Sequence, residues 1–102
     1  VEIAIRWLGG RRRFEREVRS YLRGAGVAAA EVEATLERLR ELSLVSDEET
    51  SRAFVRDRLR FAPKGRALLL AELRSRGAPS PLAETVLDEI FPVEAEADVA
   101  ED

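Results

Sequence analysis

Leu22-Arg23-Gly24-Ala25-Gly26, followed by Val32-Glu33-Ala34-Thr35-Leu36-Glu37-Arg38-Leu39, decides the fold of this chain because its pattern occurs twice. Leu22-x-x-x-Gly26 returns 51 residues later as Leu73-x-x-x-Gly77, and Val32-x-x-x-Leu36-x-x-Leu39 returns as Ala83-x-x-x-Leu87-x-x-Ile90. The same shift carries Ile3, Ala4 and Leu8 onto Phe54, Val55 and Leu59. A fixed period of this size marks stacked supersecondary units, neither of which buries its apolar face alone.

Working outward, the apolar spacing is helical throughout. Val1 to Leu8 reads as a short helix stopped by Gly9-Gly10. A second helix is expected from about Arg12 to Arg23, with Phe14, Val18, Tyr21 and Leu22 inward. A third starts near Ala28 and turns Val32, Leu36, Leu39 and Leu42 to the core. Ser46-Asp47-Glu48-Glu49 reads as a capping box opening a fourth helix to about Arg60, with Phe54, Val55 and Leu59 inward. After the turn Phe61-Ala62-Pro63-Lys64-Gly65, a fifth helix from about Arg66 to Arg76 is expected to bury Leu68, Leu69 and Leu73. Ser80-Pro81 supplies an N-cap and a first-turn proline for a sixth, which Pro92 ends. No stretch alternates with period two. The fold expected is all-α: tandem three-helix, helix-turn-helix-like repeats, elongated. The first unit covers 1–45, the second 46–91, and 92–102 is an acidic tail, either mobile or the start of a further helix.

At 102 residues with 45% apolar content, composition permits one small domain or two units sharing an interface. The formal charge of −3 hides an asymmetry. Residues 92–102 carry five acids and no base, leaving 17 bases against 15 acids in 1–91. All the bases except Lys64 are arginine, which fits phosphate or carboxylate recognition and equally a coding bias. The chain has no cysteine and no histidine, which excludes disulfides, thiolate chemistry, the usual zinc sites and a histidine general base. No run is long and apolar enough to span a membrane, and Val1 to Gly10 reads as a helix rather than a signal peptide. A reducing cytoplasm is compatible with the missing cysteines.

Catalytic signatures are missing too. Ser46 and Ser80 read as caps. Asp47, Glu48 and Glu49 are the acids that a helix N-terminus attracts, and adjacent positions do not converge on a metal. Gly9-Gly10 lacks the strand and the Gly-Lys-Ser/Thr ending of a phosphate loop. No catalytic, cofactor or metal site is therefore expected. The basic groups offer more. Arg11, Arg12 and Arg13 precede the second helix. Arg52, Arg56 and Arg60 lie at i, i+4 and i+8 on the fourth, and Lys64 and Arg66 extend that stripe around the next turn. Two readings stay open: a solvated face covered by arginine stems, or a basic ridge for an acidic protein groove or a nucleic-acid backbone. Trp7 reads as core, whereas Phe61, at a helix end beside Arg60, is either core or a partner anchor.

The run from Val32 to Leu59 resembles the central signature of the RecX family, the bacterial regulators of the RecA recombinase. So do Lys64-Gly65-Arg66 followed by Leu70-Ala71-Glu72-Leu73 and Gly77, and upstream Arg13-Phe14-Glu15-Arg16-Glu17-Val18 with Leu22 and Gly26. The resemblance covers residues 3 to 91. It departs from the family where Ser43-Leu44-Val45-Ser46-Asp47-Glu48-Glu49-Thr50-Ser51 stands in place of a Gly-Leu/aromatic-Leu-Asp-Asp-x-x-Phe-Ala stretch. Members usually have three three-helix units; two are read here, and 92–102 resembles the acidic opening of a third.

The resemblance implies regulation without catalysis. Such a protein lies in the groove of a RecA–DNA filament, meets DNA only indirectly or weakly, and limits filament extension, ATP hydrolysis and strand exchange in recombination and the SOS response. A monomer in the cytoplasm is expected. Arg52, Arg56, Arg60, Lys64, Arg66, Arg11, Arg12, Arg13 and Phe61 are the candidate filament contacts. Two rivals remain: a tandem helix-turn-helix module that binds DNA directly, or an adaptor for an unrelated protein. The acids Glu31, Glu33, Glu37 and Glu41 of the third helix, with Glu84, Asp88 and Glu89 of the sixth, count against the first, because they would repel phosphate.

Overall fold

A computed structural model describes residues 1–61 and 64–91. The expected turn residues Ala62 and Pro63, the stop at Pro92 and the acidic tail lie outside the described residues. Six helices follow in order: α1 (Glu2–Leu8), α2 (Glu15–Gly24), α3 (Ala29–Glu41), α4 (Asp47–Phe61), α5 (Arg66–Arg76) and α6 (Ser80–Ile90). No strand occurs among the described residues. The chain divides into two compact units, with the division falling inside α4 after Thr50.

In the first unit Ala4 and Leu8 of α1, Val18 and Leu22 of α2, and Val32, Leu36 and Leu39 of α3 form one buried cluster with Val45. Trp7, Tyr21 and Val27 pack against it. Trp7 is only partly buried, and its ring stacks on Tyr21 with centroids 4.4 Å apart. In the second unit the buried apolar residues are Val55 of α4, Leu69 and Leu73 of α5, Ala78 before α6, and Ala83, Val86 and Leu87 of α6. Spacings of three and four keep these side chains on one stripe of each helix. Leu42 and Leu68, both expected inward, are 40% and 52% exposed. Leu42 falls at the end of α3, where the chain leaves the helix, and Leu68 lies beside the Leu69/Leu73 stripe instead of within it.

The repeated Leu-x-x-x-Gly is a helix terminator in both units. The Val27 amide donates to the Leu22 carbonyl at 3.0 Å, and the Ala78 amide to the Leu73 carbonyl at 2.9 Å. Each bond spans five residues and reaches around a glycine of positive φ, Gly26 at 87° and Gly77 at 120°. This is the Schellman arrangement, in which the left-handed residue turns the chain back and satisfies carbonyls that the helix leaves open. A third copy ends α3. There the Leu44 amide donates to Leu39 at 2.9 Å, and the left-handed residue is Ser43, with φ 58°. Serine carries a Cβ that this conformation crowds, at a cost of about 1–2 kcal/mol.

The N-termini depart more from expectation. α2 begins at Glu15 and not near Arg12, since Phe14 is extended at φ −72° and ψ 149°. Its open amides are met by carboxylates: the Phe14 N–H donates to Glu17 Oε1 at 2.9 Å, and the Glu15 N–H to Asp47 Oδ1 at 2.8 Å. Asp47 therefore caps α2 from the first turn of α4. Ser46 does cap α4, accepting the Glu49 N–H at 3.2 Å. Ser80 does not cap α6; Pro79 precedes the helix, and the Ser80 hydroxyl instead accepts from Arg74 Nε at 2.8 Å.

Candidate functional site

The arginines sort into two groups, according to whether another helix offers a carboxylate. In the first unit Arg19 of α2 makes a two-pronged bond to Glu33 of α3 at 2.8 and 3.1 Å. Arg40 of α3 does the same to Glu15 of α2, with both contacts 2.7 Å. The hydrogen bond from Arg19 pulls the Glu33 carboxyl below its ordinary value. In the second unit Arg52 of α4 grips Glu89 of α6 at 3.0 and 2.8 Å, and this bond lowers the Glu89 carboxyl likewise. Arg66 at the start of α5 meets Asp88 of α6 at 2.7 Å, and Lys64 meets Glu72 of α5 at 3.0 Å. Fork-shaped guanidinium–carboxylate contacts are directional as well as attractive, so the Arg19–Glu33, Arg40–Glu15 and Arg52–Glu89 pairs help orient one helix on the next.

Three of the nine candidate contacts, Arg52, Lys64 and Arg66, thus already hold acids within their own unit. Arg13 is also engaged. Its guanidinium lies over the Trp7 ring, 5.2 Å from the centroid, and 3.7 Å from Glu17. Arg12 approaches Glu49 at 3.8 Å with both side chains well exposed, a contact that contributes little.

The remaining cations are different. Arg56 donates from Nε only to the Arg52 carbonyl on its own helix, at 3.4 Å. Arg60 lies against the Phe61 ring, 5.4 Å from its centroid. Phe61 is 76% exposed. No carboxylate among the described residues pairs with Arg56 or Arg60. The last turns of α4 therefore present two guanidinium groups without a carboxylate partner among the described residues, together with a large aromatic ring, at the helix end where cations are favoured. Arg11 in the first unit also has no carboxylate partner among the described residues. It folds back on the end of α1, donating to the Leu8 and Trp7 carbonyls at 3.4 and 3.3 Å.

Two features escaped the sequence. Asp47 was legible only as a first-turn acid, yet it caps another helix; burial pushes its carboxyl above the ordinary value, against the lowering effect of the Glu15 N–H. A groove in the first unit is lined by Ile5, Leu8, Arg11, Ser43 and Leu44 among others. The spacing Leu39-x-x-x-Ser43, an echo of Leu-x-x-x-Gly, was its one sequence signal. Among the described residues no group of three or more acids could hold a metal ion, and no helix is long and apolar enough to cross a membrane. The acids of α3 and α6 named above are all exposed.

The class defined by this arrangement is a tandem three-helix protein whose helices are clasped by arginine–carboxylate pairs and which leaves other arginines, Arg11, Arg56 and Arg60 among them, exposed. Residues 1–39 match the family model for the first three-helix domain of RecX, and residues 46–87 match that for the second. The regulatory protein RecX of Prosthecochloris aestuarii is 40% identical over 86 residues, covering 84% of this chain and 57% of the relative. That of Geobacillus thermodenitrificans is 37% identical over 86 residues, covering 84% and 32%. The crystal structure of RecX from Lactobacillus salivarius superposes with a TM-score of 0.80 at 23% identity, over 84% of this chain and 56% of that one, and shows the same fold. The chain belongs to the RecX family. It spans little more than half the length of these relatives, or less.

Proposed function

We propose that this chain is a non-catalytic regulator that binds the RecA–DNA filament and restrains the recombinase, meeting DNA only indirectly or weakly, as a monomer in the cytoplasm. Membership of a family of regulatory proteins supports the general role. The observation that carries the reading is the end of α4, where Arg56 and Arg60 lack carboxylate partners among the described residues beside a 76% exposed Phe61. Arginine and aromatic side chains dominate the energetics of protein interfaces, and unpaired cations are drawn to the strong negative field of a filament that holds DNA.

On this reading the nine candidate residues divide their labour. Arg56, Arg60 and Phe61 make the principal contact, with Arg11, Arg12 and Arg13 contributing from the first unit. Arg52, Lys64 and Arg66 shape the second unit through their ion pairs and reach the filament less directly. Glu31 and Glu37 of α3 and Glu84 of α6, exposed acids with no basic partner among the described residues, disfavour a tandem module that reads bare DNA.

The test is the double substitution Arg56→Glu with Arg60→Glu, assayed by inhibition of RecA's DNA-dependent ATPase. Loss of inhibition by about tenfold or more, as for a hot-spot cluster, is expected, with helical circular dichroism unchanged. Unaltered inhibition overturns the assignment. Binding to RecA-coated DNA is expected to exceed binding to bare DNA or to free RecA, and to weaken with salt.

A further inference from the structure

Four properties coincide in the groove of the first unit. Its volume is about 280 Å³, and Ile5 and Leu44, each 40% exposed, line it together with Leu8. Scattered exposed apolar residues are ordinary, but these share one concavity. Arg11 lines the same groove, and its two hydrogen bonds to the α1 carbonyls leave the Nη1 amino group uncommitted. Ser43, the left-handed residue that Leu44 follows, also lines it. Its strained conformation turns the chain directly before Leu44 and so sets the position of that side chain, and retained strain of this kind clusters at functional surfaces. The acid at the rim, Glu49, is held only loosely by Arg12, at 3.8 Å.

We propose that this groove docks an acidic peptide segment bearing a bulky apolar side chain. The side chain seats on Ile5, Leu8 and Leu44, and a neighbouring carboxylate takes the free edge of Arg11. The groove, of about 280 Å³, has room for one bulky apolar side chain. The apolar part of the lining, Ile5, Leu8 and Leu44, disfavours a sugar-phosphate backbone, which would leave it unfilled. Charge complementarity selects acid over base in the flanking positions, because two arginines, Arg11 and Arg12, line the groove against one acid, Glu49. This site requires neither recombinase nor DNA; it shares Arg11 and Arg12 with the filament reading but not the Arg56, Arg60 and Phe61 contact on which that reading chiefly rests.

The test uses the full chain and fluorescein-labelled peptides followed by anisotropy: leucines flanked by glutamates, the same with lysine for glutamate, and the same with serine for leucine. The leucine–glutamate peptide is expected to bind saturably and about tenfold tighter than either control, the scale of one buried leucine side chain. Leu44→Ser and Arg11→Gln are each expected to weaken it about fivefold or more. Both positions are exposed, and Arg11→Gln keeps the test decisive should Leu44→Ser lower helical content. No saturable binding, equal binding of the three peptides, or binding indifferent to Arg11→Gln overturns the proposal. Tighter binding of a labelled oligothymidylate, lost in Arg11→Gln, overturns it in favour of nucleic acid. The ATPase result for Arg56→Glu with Arg60→Glu does not bear on these outcomes, so the two readings fail separately.

Discussion

Glu15 in the first unit and Arg66 in the second occupy the same place under the 51-residue shift, at the first position of the middle helix. Both reach to the third helix of their unit, but with opposite charge. Glu15 accepts two bonds from Arg40 of α3, whereas Arg66 donates to Asp88 of α6. The repeat therefore conserves a clasp between middle and last helices while reversing its polarity. A negative side chain at a helix start is favoured by the backbone dipole and a positive one is not; Asp88 beside Arg66 offsets that penalty. The interior tells the opposite story. Leu22 and Leu73 are both buried, and their carbonyls accept the same five-residue closing bond. Apolar packing and backbone closure admit few solutions, whereas a surface ion pair needs only complementary partners.

If the interior is what the two units share, deleting it should cost both alike. Leu22→Ala and Leu73→Ala are each expected to destabilise their unit by about 2–5 kcal/mol, measured by urea unfolding with helical circular dichroism. A loss at one site far below that range would show that the repeat does not extend to packing. Next in size are the caps. Gly26→Ala and Gly77→Ala force a Cβ into a left-handed φ and should cost about 1–2 kcal/mol. Ser43→Gly should run the other way, raising stability by about 1 kcal/mol by removing the same crowding. A destabilised Ser43→Gly variant would mean that the third terminator is not equivalent to the other two.

The clasp is expected to be worth less, about 0.2–1 kcal/mol for a pair at the surface. Glu15→Arg alone should destabilise the first unit, and adding Arg40→Glu should recover most of the loss, because the reversed polarity already works in the second. A residue of a few tenths of a kcal/mol should remain, from the cation at the helix N-terminus. No recovery in the double variant would break the equivalence of the two clasps.

The smallest effect concerns pH. Burial raises the Asp47 carboxyl above its ordinary 3.8, so the folded state binds its proton more readily than the unfolded chain. The stabilisation linked to that proton is fully present below the unfolded value and is lost as pH rises through the folded one. Glu33 and Glu89, lowered by Arg19 and Arg52, behave oppositely: their contribution is present above the unfolded value and is lost as pH falls through the folded one. Asp47→Asn keeps an oxygen for the Glu15 N–H but cannot ionise. It should be slightly more stable than the parent at pH 7 and indistinguishable below pH 3.8, by thermal unfolding across that range. A lower stability at pH 7 would show that the charge itself serves the α2 cap.

Much of this molecule could be read before its fold was seen. Six helices, their order and the Leu-x-x-x-Gly terminators follow from apolar spacing and from the glycine that a left-handed turn demands, both local properties of the chain. Local spacing misjudged Leu68, because a helix face is about as wide as two adjacent residues and only packing decides which of Leu68 and Leu69 turns inward. It also put the start of α2 at the arginines, since the amides of Phe14 and Glu15 are capped in part by Asp47, far along the chain.

What the amino-acid sequence determined by itself is the repeated helical interior: the periods of apolar residues and the positions of breakers leave little freedom. Which arginines are spoken for was decided only by the tertiary structure. Arg52, Arg56 and Arg60 form one stripe of equal residues on paper, and Arg52 alone of the three is drawn in, by Glu89 from α6. Ion pairs of this kind join residues from different helices, so no local spacing predicts them; the backbone must first bring the carboxylate within reach of the guanidinium.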